Sequence, residues 1–97
     1  MLITVVGNRI DTKQIYRIGK IDNYFNTLDP YLGFKIYFLN EKDMIIKLYL
    51  DKVANNNLNA DNFETIKLEA QTRIEKCRDQ ITLYWGASKS DIPVVEL

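Results

Sequence analysis

The chain contains no histidine. That removes the usual general base at neutral pH, the Ser-His-Asp and Cys-His arrangements, and the commonest metal ligand. A single cysteine, Cys77, has no internal disulfide partner, so nothing asks for an oxidising compartment. Glycine is scarce, and Gly7, Gly19, Gly33 and Gly86 never fall into a G-x-G-x-x-G or P-loop spacing; phosphate cradling by those motifs is excluded. The Asp and Glu residues are scattered, with no EF-hand spacing. From these absences the chain is expected to be no enzyme, with no catalytic residue, no metal and no cofactor.

Charge of one sign is also missing. Thirteen basic and thirteen acidic residues cancel, so no net field draws the chain to nucleic acid or anionic lipid, and nucleic-acid binding is not expected. No apolar run approaches the ~20 residues that span a bilayer. The opening "MLITVVGNRI" lacks a basic start followed by a long apolar core and reads as a strand, not a signal peptide. The expected location is cytoplasmic, with no membrane contact. Frequent Ile, Asn and Lys, all with A/T-rich codons, point by association to a bacterial or phage genome.

What is present is an ordinary globular composition: 97 residues, 46% hydrophobic and 27% charged. That length makes one domain, 1–97: strand-rich over 1–58, helical over 59–86, and an extended tail over 87–97. "LITVV" is a β-branched run closed by Gly7-Asn8, a pair suited to a two-residue turn. That turn sets Val5 against Ile10 and Ile3 against Thr12. "DTKQ" reads as a bulge or bend before "QIYRIGKID" resumes β character. "DNYFNTLDPYLG" (22–33), dense in Asn, Asp, Pro and Gly, reads as a twelve-residue loop carrying Tyr24, Phe25, Leu28 and Tyr31.

"GFKIYFLNEKDMIIKLYL" (33–50) reads as a hairpin whose register can be argued from parity. A three-residue loop at Glu41-Lys42-Asp43 sets Phe38 against Ile46, Ile36 against Leu48 and Phe34 against Leu50, a single apolar face. The other face then holds Lys35 opposite Tyr49, Tyr37 opposite Lys47 and Leu39 opposite Ile45. Beyond "NNNLN" (55–59), a short polar hinge, Phe63, Ile66, Ala70, Ile74, Cys77, Ile81 and Tyr84 recur at helical spacing. Asp61 and Glu64 resemble a capping box, and Gly86 sits where the helix should stop. A helix over about 61–85 runs ~37 Å at 1.5 Å per residue, longer than strands of ~20–27 Å. The "ITLYWG" end should overhang, leaving Tyr84 and Trp85 to seek the tail, the loop or a second molecule. The tail "IPVVEL" has strand composition and suits the edge of its own sheet or of a neighbour's.

Strands first and helix last argue α+β: an antiparallel meander of about four strands with one long C-terminal helix packed across one face. The functional expectation is a small interaction protein of accessory or inhibitor type, binding a protein partner or itself as a homodimer. Tyr84, Trp85, Tyr24, Phe25 and Tyr31 are the interface candidates, because Tyr and Trp are enriched in binding hot spots. The alternative is a small-ligand binder holding a nucleotide-like molecule on Lys35, Tyr37, Lys47 and Tyr49, where rings stack bases and lysines neutralise phosphate. Against both stands a bland reading, in which Tyr/Lys pairs dress a solvated sheet and lysine stems lie over the rings.

Overall fold

The β-branched and aromatic runs of the first half form strands, and the apolar stripe of the second half forms a helix that covers them. The computed structural model describes residues 2–86, 94, 95 and 97. The strands are β1 (Leu2–Val5), β2 (Asn8–Asp11), β3 (Ile15–Ile18), β4 (Asp22–Tyr24), β5 (Tyr31–Phe38), β6 (Met44–Tyr49) and β7 (Val94–Val95). The helices are a short α1 (Leu50–Val53) and the long α2 (Phe63–Trp85). The fold is α+β, with one long C-terminal helix, but its strands divide between two sheets.

The first sheet has the order β2-β1-β7. Its hairpin turn lies at Val6-Gly7, one residue earlier than Gly7-Asn8, so Ile3 faces Ile10 and Val5 faces Asn8. Both turn residues have positive φ, 48° at Val6 and 80° at Gly7, as a two-residue turn matched to strand twist requires. Gly7 accepts that geometry freely, whereas β-branched Val6 does so under strain. On the other edge β1 takes β7 in parallel, Val5 opposite Val95, and the Val6 N–H donates to the Val95 carbonyl at 2.9 Å. The tail thus pairs with its own chain's sheet; Pro93 lies outside the described residues.

Residues 12–14, where a bulge or bend was expected, form a 3-10 turn. The Lys13 N–H donates to the Asp11 carboxylate at 3.0 Å, a bond that holds the Asp11 pKa below the ordinary carboxylate value. Through this turn the chain passes to the second sheet, where β5 is central. β6 pairs with one edge of β5, and β3 and β4 both pair with the other. Ile18 faces Ile36 and Asp22 faces Gly33, so residues 19–21 stand against Phe34 and Lys35 alone. β3 and β4 are therefore one strand broken by a bulge. The surplus residue bends the strand, while the Gly19 N–H still donates to the Lys35 carbonyl at 2.7 Å.

Two expectations about this sheet are corrected. Residues 22–33 are no loop: Asp22–Tyr24 and Tyr31–Gly33 are paired strands, leaving a connection at 25–30. Turn-forming residues at the tip had masked the aromatic β residues that flank it. The 33–50 hairpin pairs Phe34 with Ile46, Ile36 with Met44 and Tyr31 with Tyr49, four residues away from the register expected. A slide by an even number leaves every side chain on its face, so parity could not detect it. What selects the register lies outside the hairpin. Leu50 leaves the sheet to begin α1, its N–H donating to the Pro30 carbonyl at 3.0 Å, and the pairing ends at Tyr31 and Tyr49.

α2 lays Ala70, Ile74, Cys77 and Ile81, all fully buried, over the apolar faces of both sheets; Phe63, Ile66 and Tyr84 pack at the margin. Ile3 and Val5 of the first sheet and Phe34, Ile36 and Leu48 of the second share that one core. The Asp61-Glu64 capping box does not form. Instead Asn59 Oδ1 accepts from the N–H groups of Asp61 and Asn62, and Asn62 Nδ2 donates to the Asn57 carbonyl at 2.9 Å. The expected polar hinge is thus a hydrogen-bonded lead into the helix. No helix among the described residues is long and apolar enough to cross a membrane.

Candidate functional site

Alternation along β5 sends Leu32, Phe34, Ile36 and Phe38 to the core and Tyr31, Gly33, Lys35 and Tyr37 to the opposite face. On β6 the same rule buries Ile46 and Leu48 and turns out Ile45, Lys47 and Tyr49. β4 adds Tyr24 beside Tyr31, and β3, whose register shifts between Ile15 and Arg17, adds Tyr16 and Arg17 beside Tyr37. Five of the six tyrosines therefore gather on the face turned away from α2.

These rings touch. Tyr24 and Tyr31 stack at 4.6 Å between centroids with 17° between planes, and Tyr49 leans on Tyr31 at 5.2 Å. Tyr37 meets Tyr16 at 6.0 Å. Cations lie over two of them: the Lys47 ammonium is 5.0 Å from the Tyr31 centroid, and the Arg17 guanidinium 4.9 Å from that of Tyr37. Each cation gains from the negative ring face, and each ring is partly shielded by a lysine or arginine stem.

Two glycines set the rings low against the sheet. A Cβ at Gly33 would stand 3.5 Å from the Tyr31 ring and 3.1 Å from the Ile46 carbonyl; one at Gly19 would stand 3.5 Å from the Tyr37 ring and 3.3 Å from the Lys35 carbonyl. Aromatic cover of a strand glycine restores the packing that the missing side chain gives up. Between the two covered glycines, at the strand break, opens a cleft of ≈ 170 Å³ lined by Arg17, Lys20, Asp22, Tyr24, Lys35 and Tyr37. Lys20 and Asp22 form a loose, exposed ion pair at 3.9 Å. Among the described residues, Arg17, Lys35 and Lys47 have no carboxylate at ion-pair distance.

The break is held from behind by the helix. Arg78 Nε donates to the Gly19 carbonyl at 2.7 Å and Arg78 Nη2 to the Ile18 carbonyl at 3.3 Å. These charge-assisted bonds hold the two carbonyls at the break.

The sequence-derived candidates separate accordingly. Tyr24 and Tyr31, taken as interface residues, join Lys35, Tyr37, Lys47 and Tyr49, taken as ligand residues, on one surface. The register changes their neighbours: Lys47 stands opposite Gly33, not Tyr37, and Tyr49 opposite Tyr31, not Lys35. Phe25 turns away to meet Phe63 edge-on at 5.8 Å. The helix end does not overhang. Tyr84 packs against the core, and Trp85 Nε1 donates to the Ile15 carbonyl at 3.1 Å, a surface not among the three considered. Trp85 remains 38% exposed.

Arg17, Tyr16, Lys20 and the two glycines were not singled out from the sequence. Their signal was present but only in three dimensions, since a bulge changes which residues face outward. Cys77 is fully buried, and burial pushes its thiol up to about 11, so it stays protonated and unreactive at neutral pH. No group of three or more metal-ligating side chains converges among the described residues. Compared with family models, curated proteins and solved structures, the chain matches none, and the reading of this surface rests on its own residues.

Proposed function

We propose that the protein is a small, non-enzymatic binding module whose working surface is the outer Tyr/Lys face of the second sheet. On this reading it holds a nucleotide-like ligand, rings stacked on tyrosine and phosphate neutralised by lysine and arginine. The observation that carries the reading is the convergence of Tyr16, Tyr24, Tyr31, Tyr37 and Tyr49 with Arg17, Lys20, Lys35 and Lys47 on one side of one sheet. Arg17, Lys20 and Lys35 against Asp22 leave the strand-break end of that face about two charges positive, in a chain whose total charge is zero. Stacking on aromatic side chains is worth about 1–3 kcal/mol per base and tolerates any base. A chain without histidine lacks the commonest acid–base group, which favours binding over catalysis.

The test is a thermal-shift screen of nucleoside mono-, di- and triphosphates. At a concentration about a hundredfold above Kd, a ligand bound by the native state alone adds ~2.7 kcal/mol, a rise of roughly 10 °C or more for a domain of this size. Tyr37→Ala together with Lys35→Met should abolish the shift while leaving the unliganded Tm within a few degrees. No shift with any nucleotide would retire the nucleotide reading.

A second reading, a protein partner or a second copy on the same face, is favoured by the exposed apolar groups at its margin. Tyr16 is 54%, Leu39 60% and Ile45 38% exposed. Light scattering across a concentration series separates the two: a dimer weakened by Tyr16→Ala and Ile45→Ser supports the protein contact.

A further inference from the structure

The cleft at the strand break has a more specific use, one that rests on the nucleotide reading above. We infer that it is a phosphate subsite, seating the phosphate or diphosphate of the ligand between Arg17, Lys20 and Lys35 while the ring system packs outside against Tyr24 and Tyr37.

Size argues for a part of the ligand and against the whole. Sites that enclose a drug-sized molecule measure about 300–1,000 Å³. At ≈ 170 Å³ the cleft falls below that range, on the scale of a phosphate or diphosphate.

Charge selects the same end of the face. Arg17, Lys20 and Lys35 line the cleft against Asp22 alone, and the exposed Lys20–Asp22 pair at 3.9 Å is weak enough to open. At the opposite end, beside Tyr49, the surface is lined by Asp29 and Asp51 with Lys52 as the one cation named there. An anion would meet two carboxylates at that end and three cations at the strand break. The ligand's polarity along the sheet follows from this gradient. Arg78 shapes the subsite without touching the ligand, because its bonds to the Ile18 and Gly19 carbonyls fix the bulge.

The test is a 1H–15N titration of the full chain with sodium pyrophosphate and, separately, with ADP. Both should shift the amides of Gly19, Lys20, Gly33 and Lys35. Lys35→Met and Arg17→Met should each weaken ADP at least tenfold, whereas Lys47→Met, on the face but outside the cleft, should weaken it by no more than about twofold. The variants' own spectra report whether they fold, and Lys20→Met, at a side chain 86% exposed, repeats the test with the least structural risk. If ADP binds but its shifts and losses centre on Lys47 and Tyr49, the subsite is wrong and the nucleotide reading survives. If pyrophosphate moves the cleft amides while no nucleotide binds, the subsite stands and the nucleotide reading falls. Silence from both probes overturns both.

Discussion

The two faces of the second sheet are built from the same strands and obey opposite rules. On the inner face Leu32, Phe34, Ile36, Phe38, Ile46 and Leu48 are each no more than 6% exposed and share one core with α2. On the outer face Tyr31, Tyr37 and Tyr49 are half-buried with no element among the described residues over them, covered by one another and by Lys47 and Arg17. One face excludes water through a second layer, and the other does so within its own plane. The lesson is that intermediate burial has two sources. Where rings and cation stems shield each other, the partial burial of a tyrosine carries no sign that a partner is required, yet it leaves a pre-ordered aromatic surface with little entropy to lose on binding.

The largest expected effects lie on the inner face. Phe34→Ala removes a fully enclosed ring between α2 and the sheet and should cost about 3–5 kcal/mol in chemical denaturation. Tyr37→Ala, three residues along the same strand but facing outward, should cost about 1 kcal/mol or less. If the two losses prove equal, the faces are not distinct in kind. Arg78→Met keeps the stem and removes the guanidinium, leaving the Ile18 and Gly19 carbonyls without that donor; a loss of about 1–3 kcal/mol is expected. Its amide shifts should centre on residues 18–22, which would tie the outer face's shape to an inner-face residue.

A smaller effect, of the opposite sign, belongs to the first sheet. Val6→Asn places an Asn-Gly pair at the positive-φ turn and relieves the strained β-branched residue, stabilising by about 1 kcal/mol and raising Tm by roughly 4–8 °C. The smallest concerns Cys77. With its thiol raised to about 11 by burial, iodoacetamide at pH 8 should label the native chain far more slowly than the unfolded one.

How much could be read along the chain depends on whether the determining contact was local. Helical spacing fixed the α2 stripe from Phe63 to Tyr84, and every member of it is in or against the core. Alternation likewise assigned Lys35, Tyr37, Lys47 and Tyr49 to one face of the 33–50 hairpin, and no register slide by an even number could change that. Three features were invisible for a common reason. The Val6-Gly7 turn, the four-residue slide of β6 and the bulge at 19–21 each go with a partner distant in sequence: β7 along β1, Pro30 taking the Leu50 N–H, Arg78 behind Gly19.

Sequence by itself determined the class, the core face of each amphipathic element and the absence of histidine chemistry, because periodicity and composition are properties of the unfolded chain as much as of the folded one. Tertiary structure decided the register, the division into two sheets and the docking of Trp85 on Ile15. It also decided the gathering of five tyrosines and four cations around a broken strand, because a bulge and a long-range pairing cost conformational entropy that only the assembled core offsets.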